Sequence, residues 1–466
     1  MEFLNNISIA GLAGNRNHFN RCIRYLLLSA FFLAPYSNGA TEPSTDGFFS
    51  AATSAAYQDL AREQAAAEKI KDLEQIIKSS EAAIKNDDPA TALTTIARNM
   101  PIIAQQINSP KAQTIAELAL SVHGIGIAQS LLSVAREQGD NFSEARMIFE
   151  LAKYQADETR WAEVITLLKN PTIIESLTKE DAAEANLIIG TALQQQKKHR
   201  EAMVYYEKIK SESLHYRLAQ LNLATANIRQ DWWTDAHLAI QNALKVNKSK
   251  KDELDFRLYT VLGFSQIQYG FYRDARESFR NVTLTSQYTN RALLGLGVAA
   301  LHQEDFIGAL NAFNHLRENQ ESDISVAEAY LLSAFALRQI GQHEAATARY
   351  QEAISYYEQL AAKQTIAASD LANKPINLQA NADIFIRPES QNNKRLRRVF
   401  EKIRLIDSLL SQSLAGNRTS ALTNSKATLE KNYRTLAQKM LLKEQETIQS
   451  YLSQSKFGLA TLYDGN

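Results

Sequence analysis

Eight histidines and one cysteine are the side chains from which this chain would build a metal site or a nucleophile. None of them falls in a pattern that carries chemistry. A metalloprotease helix needs His-Glu-x-x-His, acyl transfer on a strand-to-helix elbow needs Gly-x-Ser-x-Gly, and a phosphate cradle ends in Lys-Ser or Lys-Thr. The chain holds none of the three. His302 and His315 lie thirteen residues apart, outside metal-ligand spacing. His199 and His343 sit in the same place in two repeated segments, where a packing role accounts for them. Gly124-Ile125-Gly126 and Gly295-Leu296-Gly297 fall in apolar helical sequence, which reads as close helix packing rather than phosphate binding. The expectation is no catalytic residue, no cofactor and no metal.

One charge run has two readings. Lys394-Arg395-x-Arg397-Arg398, with Lys402 and Arg404, is either the solvated face of a helix or a surface for acidic lipid headgroups or an acidic partner. The whole chain is balanced, with 51 Lys and Arg against 51 Asp and Glu, so no overall basic bias points to nucleic acid.

The N-terminus reads as an export signal. Arg16, Arg21 and Arg24 precede an apolar run, Tyr25–Pro35, which is followed by small residues at Ser37, Gly39 and Ala40. Cleavage is expected after Gly39 or Ala40, with an uncleaved anchor as the alternative. Cys22 lies ahead of the apolar run, so it cannot serve as a lipid-bearing first residue, and the mature chain would hold no cysteine. Disulfides and thiolate chemistry are then excluded. This favours a bacterial envelope protein, most simply a periplasmic one. Beyond residue 40 no apolar stretch is long enough to span a bilayer. Peripheral association with a membrane stays open.

The elements that must position any site are helices. Ala, Leu, Gln, Glu and Lys dominate, and Pro (8) and Gly (17) are few. Five segments share one template: Ala183–Ile209, Arg217–Ala243, Phe256–Val282, Asn290–Leu316 and Ala327–Ala353. Their starts lie 34, 39, 34 and 37 residues apart. Each reads as helix, turn, helix. The turn slot holds Lys197, Asp231, Gly270, Glu304 and Gly341. A small residue follows at Ala202, Ala236, Ala275, Ala309 and Ala346, and a large one four later at Tyr206, Ile240, Phe279, Phe313 and Tyr350. A period in the thirties marks a helical solenoid whose repeats bury their apolar faces only by stacking.

The pattern resembles the tetratricopeptide repeat (TPR) family. Leu262-Gly263 in the first helix, Gly270 at the turn, Tyr272, Ala275 and Phe279 fill that family's slots. The family's Trp and closing Pro are absent from all five copies. The resemblance implies an all-α fold, a helical-hairpin solenoid that binds protein partners along the groove lined by each first helix. Projected onto this sequence, that groove includes Arg229, Arg257, Phe264, Arg291, His302 and Arg338. Four arginines in one groove would suit an acidic or extended peptide segment; ordinary Arg–Glu pairing on a solvated groove is the alternative. The family's chaperone-tail clamp is not reproduced, since Thr260 and Phe264 stand at the slots compared.

Organisation along the chain follows. Residues 1–40 are the signal peptide, and 41–88 a flexible start and one long helix, Ala51–Lys85, broken where Asp88 caps and Pro89 opens the next helix. Residues 89–182 are diverged helical pairs, 183–358 the five repeats, and 359–389 a loop with an apolar cluster at Ile384-Phe385-Ile386. Residues 390–466 form a hairpin of two long helices. Their apolar stripes (Leu396, Phe400, Ile403 and Ile406; Leu429, Tyr433, Leu436 and Met440) either cap the last repeat or dock a partner helix. The functional expectation is an exported scaffold for protein–protein contacts. A structural subunit that assembles through its C-terminal helices is the alternative.

Overall fold

The computed structural model describes residues 45–463, apart from 65–69, 71, 247–249, 319–322, 377–390 and 413. The expected signal peptide and the Ile384-Phe385-Ile386 cluster lie outside the described residues. What is described is helical, and no helix in it is long and apolar enough to cross a membrane.

Among the described residues eight left-handed helix closures recur at a regular interval, Asp87, His123, Thr159, Lys197, Asp231, Gly270, Glu304 and Gly341; a ninth, Gly139, falls outside the series. Successive members of the series are 34 to 39 residues apart (270 to 304, and 231 to 270). At each, the next residue's amide reaches back to the carbonyl five positions earlier, from Asp88 to Ala83 through to Gln342 to Leu337, at 2.7–3.1 Å. This is the Schellman closure, which satisfies carbonyls that a helix end leaves open. Only two of the eight are glycine, and at the others a side chain carries a cost of about 1–2 kcal/mol.

The turns therefore mark eight helix pairs. They are α2 (Leu73–Lys85) with α3 (Pro89–Arg98), α5 (Pro110–Ser121) with α6 (Ile125–Glu137), α7 (Asn141–Asp157) with α8 (Trp161–Leu168), and α10 (Lys179–Gln195) with α11 (His199–Glu207). Then come α12 (Tyr216–Arg229) with α13 (Trp233–Val246), α14 (Glu253–Gln268) with α15 (Tyr272–Arg280), α16 (Thr289–His302) with α17 (Phe306–Glu318), and α18 (Ile324–Gln339) with α19 (His343–Asn373). Outside the pairs lie α1 (Thr45–Glu63), α4 (Met100–Gln105), α9 (Pro171–Glu175), α20 (Gln391–Leu410) and α21 (Gly416–Tyr463).

Packing obeys the same register in all eight pairs. Five residues past each turn come Ala92, Ala128, Val164, Ala202, Ala236, Ala275, Ala309 and Ala346, every one 0% exposed. Nine past each turn come Ile96, Leu132, Leu168, Tyr206, Ile240, Phe279, Phe313 and Tyr350, all buried. The small slot lets two helices approach, and the large slot fills the space between repeats. Phe279 shows how tightly: a Cβ on Gly263 of its own pair would come within 2.6 Å of the ring, and one on Gly295 of the next pair within 2.2 Å.

Three sequence expectations are corrected. Ala51–Lys85 is two helices, because Asp72 caps α2 by accepting from the Glu74 amide, so the first repeat begins at Leu73. Gly124-Ile125-Gly126, read as apolar helical sequence, opens the second helix of a pair that turns at His123, whose left-handed backbone needs no glycine. The loop expected over residues 359–389 starts later, because the helix from His343 continues to Asn373.

The chain divides into two compact units. The first contains residues 40–246 and 394–436, and the second residues 247–393 and 437–466. Within the first, α1 packs on α3 and α6, and α20 pairs with the start of α21 through Lys426 and Asp407. Arg418 of α21 reaches Asp59 of α1 at 2.7 Å.

Within the second, the end of α21 closes the last repeat. Gly458 sits against the Tyr350 ring as Gly295 sits against Phe279. Tyr451 donates to the Glu328 carboxylate at 2.6 Å, and Tyr357 to the Ala327 carbonyl at 2.6 Å. This stretch therefore occupies the place of the first helix of a ninth repeat. Its outward residues, Gln449, Ser450, Ser453 and Lys456, are exposed and polar, as a capping element requires.

Candidate partner-binding surfaces

The six residues projected onto the groove do not share one fate. Arg229 lies in the first unit, where its charge helps burial hold the His199 imidazole below its ordinary range. The other five lie in the second unit. Phe264 is a core residue, 7% exposed, with its ring edge-on to Phe279 at 4.9 Å. His302 stacks flat on Tyr272 at 4.5 Å. Burial pushes the Tyr350 hydroxyl up to about 12, with the Arg338 charge opposing.

Arg257 and Arg291 remain. They hold the same slot at the start of the first helices of two adjacent pairs, α14 and α16. Arg257 is exposed and Arg291 half-buried, and neither makes an ion pair or hydrogen bond among the described residues. Three and seven residues on, each stripe is buried: Thr260 and Phe264 on α14, Leu294 and Val298 on α16. The arrangement is two guanidinium groups at the rim of a well-packed wall. Chemically it can pair carboxylates, with bidentate geometry open to each guanidinium.

The same helix face in the first unit carries a polar ladder that sequence reading missed. Gln113 of α5 donates to Glu150 of α7 at 2.9 Å and accepts from Arg146 through its carbonyl oxygen. Lys153 lies 2.9 Å from Glu150 and 4.0 Å from Glu117. Burial raises the Glu117 carboxyl, and the Glu150 charge adds to that, with Lys153 opposing. The spacing Arg146, Glu150 and Lys153 on one helix was the available signal. It gains meaning only once α5 and α7 are known to be neighbours.

The basic run has a definite place. In the first unit α20 crosses the turns of the first three pairs, and each turn supplies it a partner. Arg404 pairs with Asp87, and Ser408 donates to Asp88 at 2.9 Å while accepting from the Ala90 amide at 3.2 Å. Glu401 faces His123, Lys402 pairs with Glu158, and Arg398 pairs with Asp157. Half of the run is thus engaged inside its own unit. Lys394 and Arg397 stay exposed.

Among the described residues no group of three or more His, Cys, Asp or Glu is arranged to hold a metal ion. No family model matches the sequence, and no curated protein matches it. Solved structures similar to the chain include a tetratricopeptide repeat protein from Parabacteroides merdae, at 14% identity and TM-score 0.37, covering 60% of this chain and 98% of that one. Another is the apo form of RapI, at 14% identity and TM-score 0.47, covering 72% and 97%. A third is the apo form of the quorum sensor NprR from B. thuringiensis, at 13% identity and TM-score 0.38, covering 73% and 99%. At such identity these likenesses concern fold and say nothing of ligand. The repeated helix pairs, their left-handed turns and the recurring small and large slots make this chain an all-α, TPR-like helical-hairpin solenoid with a C-terminal long-helix hairpin.

Proposed function

We propose that this chain is an exported scaffold that binds protein partners in the bacterial envelope and performs no chemistry of its own. The observation that carries the binding reading is the pair Arg257 and Arg291, two equivalent cations unengaged among the described residues, above a well-packed wall. Preformed cations cost little to order when an acidic, extended peptide arrives. The export reading rests on the basic, apolar and small-residue succession of residues 16–40. N-terminal sequencing of the chain recovered from the envelope fraction, beginning at Ala40 or Thr41, would support it.

The alternative, assembly through the C-terminal helices, finds less room. Leu396, Ile403, Ile406, Leu429, Tyr433 and Met440 are all buried within the chain itself, which leaves little of the stripe for a partner helix.

Binding is tested by fluorescence anisotropy with a labelled Glu- and Asp-rich peptide against its Gln and Asn counterpart. Arg257→Ala or Arg291→Ala should each weaken the acidic peptide by about tenfold or more, the value of a charge-assisted hydrogen bond. Equal binding of both peptides, or none to the native chain, would sink the reading. Crosslinking in cells, mapped to α14 and α16, would then identify the natural partner.

A further inference from the structure

The four elements that meet at His123 form a second device, independent of the groove. His123 is 1% exposed and closes the second repeat's turn. Its Nδ1 lies 3.3 Å from the Tyr154 hydroxyl and 3.6 Å from Glu158 of the third turn. Its Nε2 lies 3.5 Å from Glu401 of α20. The ring is edge-on to Phe49 of α1 at 6.3 Å, and the Lys402 ammonium stands over that same Phe49 ring at 5.7 Å. Lys402 is itself 3% exposed and pairs with Glu158.

We propose that α20 is a pH-sensitive latch, held across the turns of the first three repeats by this buried charge cluster and released when His123 takes up a proton. The charges around the ring are Asp157 and Glu158 from the α7 end, Arg160 beside them, and Arg398, Glu401 and Lys402 from α20; Tyr154 adds a neutral hydroxyl, and α1 presents Phe49. With a neutral imidazole the cations and anions of the cluster balance. A proton on His123 adds a positive charge without adding an anion, in a place shielded from water.

Burial is the main influence on the ring and disfavours its charged form; Lys402 and Arg398 add to this, while Glu401 and Glu158 oppose it. The net result is an imidazole held below its ordinary value. A group lowered in this way makes the docked state more stable as pH rises through the interval between its docked and free pKa values. Falling pH therefore removes stability from about 6.5 downward, the range of a free imidazole. Release would uncover Leu396, Ile403, Leu405, Ile406 and Leu409, each at most 5% exposed in the docked helix.

The test is hydrogen exchange by mass spectrometry on the purified chain at pH 7.5, 6.5 and 5.5, corrected for intrinsic rates. Amides of 394–410 should lose up to about tenfold of their protection per pH unit below 6.5, the slope of one proton taken up on release. Amides of 256–316, in the other unit, should hold theirs. The native chain alone decides the first point: a flat profile in 394–410, or equal loss in both segments, overturns the latch. His123→Asn then assigns the sensor, because Asn tolerates a left-handed backbone and does not titrate. A slope that survives in that variant overturns the role of His123, and a flattened one supports it.

Discussion

Substituting Gly295 by alanine gives a prediction whose sign is the result. In an ordinary helix interior glycine-to-alanine stabilises by about 0.5–1 kcal/mol, because alanine loses less chain freedom on folding. Here the added methyl would arrive 2.2 Å from the Phe279 Cζ atom. The ring has no retreat, since a Cβ built on Gly263, from its own repeat, already comes within 2.6 Å of the ring. Forcing an extra carbon into a packed core costs about 1–3 kcal/mol. The two effects leave a net destabilisation of roughly 1–2 kcal/mol. Because the chain forms two compact units, one global transition is a poor gauge. Native-state exchange of amides in α15 and α16 reads the contact directly. The control is Gly416→Ala, where nothing lies within 4 Å of the new carbon and no loss is expected. Phe279→Leu should relieve the clash, so the double variant should cost less than the sum of its parts by about 1 kcal/mol, as contacting sites do. A neutral or more stable Gly295→Ala protein would refute the packing argument for the large slot.

Further predictions concern buried polar contacts. Lys402→Ala leaves Glu158, 6% exposed, without its ammonium partner, and should destabilise the first unit by about 3–5 kcal/mol, read by native-state exchange of amides in α7 and α20. Pairing Lys402→Met with Glu158→Gln should recover much of that, because no charge is then stranded. Tyr451→Phe removes the 2.6 Å bond to Glu328 and should cost about 1.5–3 kcal/mol, seen as faster exchange at the start of α18. Tyr357→Phe, losing a bond to a neutral carbonyl, should cost less, about 1 kcal/mol.

The five repeats from Ala183 onward were legible because their slots keep both size and chemistry: an alanine, then in four of the five an aromatic ring. The three pairs before them use the same slots with Ile96, Leu132 and Leu168, aliphatic residues that any buried helix might carry. Their turns are Asp87, His123 and Thr159, where a side chain sits in a backbone region that sequence readers reserve for glycine. This is why the turn at His123 does not stand out within apolar helical sequence. The groove was legible only as a set of positions. Arg257 and Phe264 share a stripe, yet one ends exposed and the other under 10% exposed against Phe279. Which it would be depends on the neighbouring repeat's ring. The purpose of the basic run could not be read locally at all, since Arg398 and Lys402 find their anions 241 and 244 residues earlier.

Those separations bear on how the chain acquires its structure. A solenoid ordinarily folds fast from any point, since each repeat touches only its neighbours. Here the contacts of α20 and α21 close loops of 123 residues at Glu328, 244 at Glu158 and 359 at Asp59. Every one of these awaits a part of the chain made well after the helix pairs it closes on. Helix pairs can form as they emerge, but the final repeat keeps its Tyr350 face bare, and the first three turns keep their anions unpaired, until residues 394–463 arrive. Folding should therefore show a fast phase of local helix stacking and a slower closing phase. A chain stopped before residue 394 should keep the first phase, lose the second, and self-associate through the uncapped face.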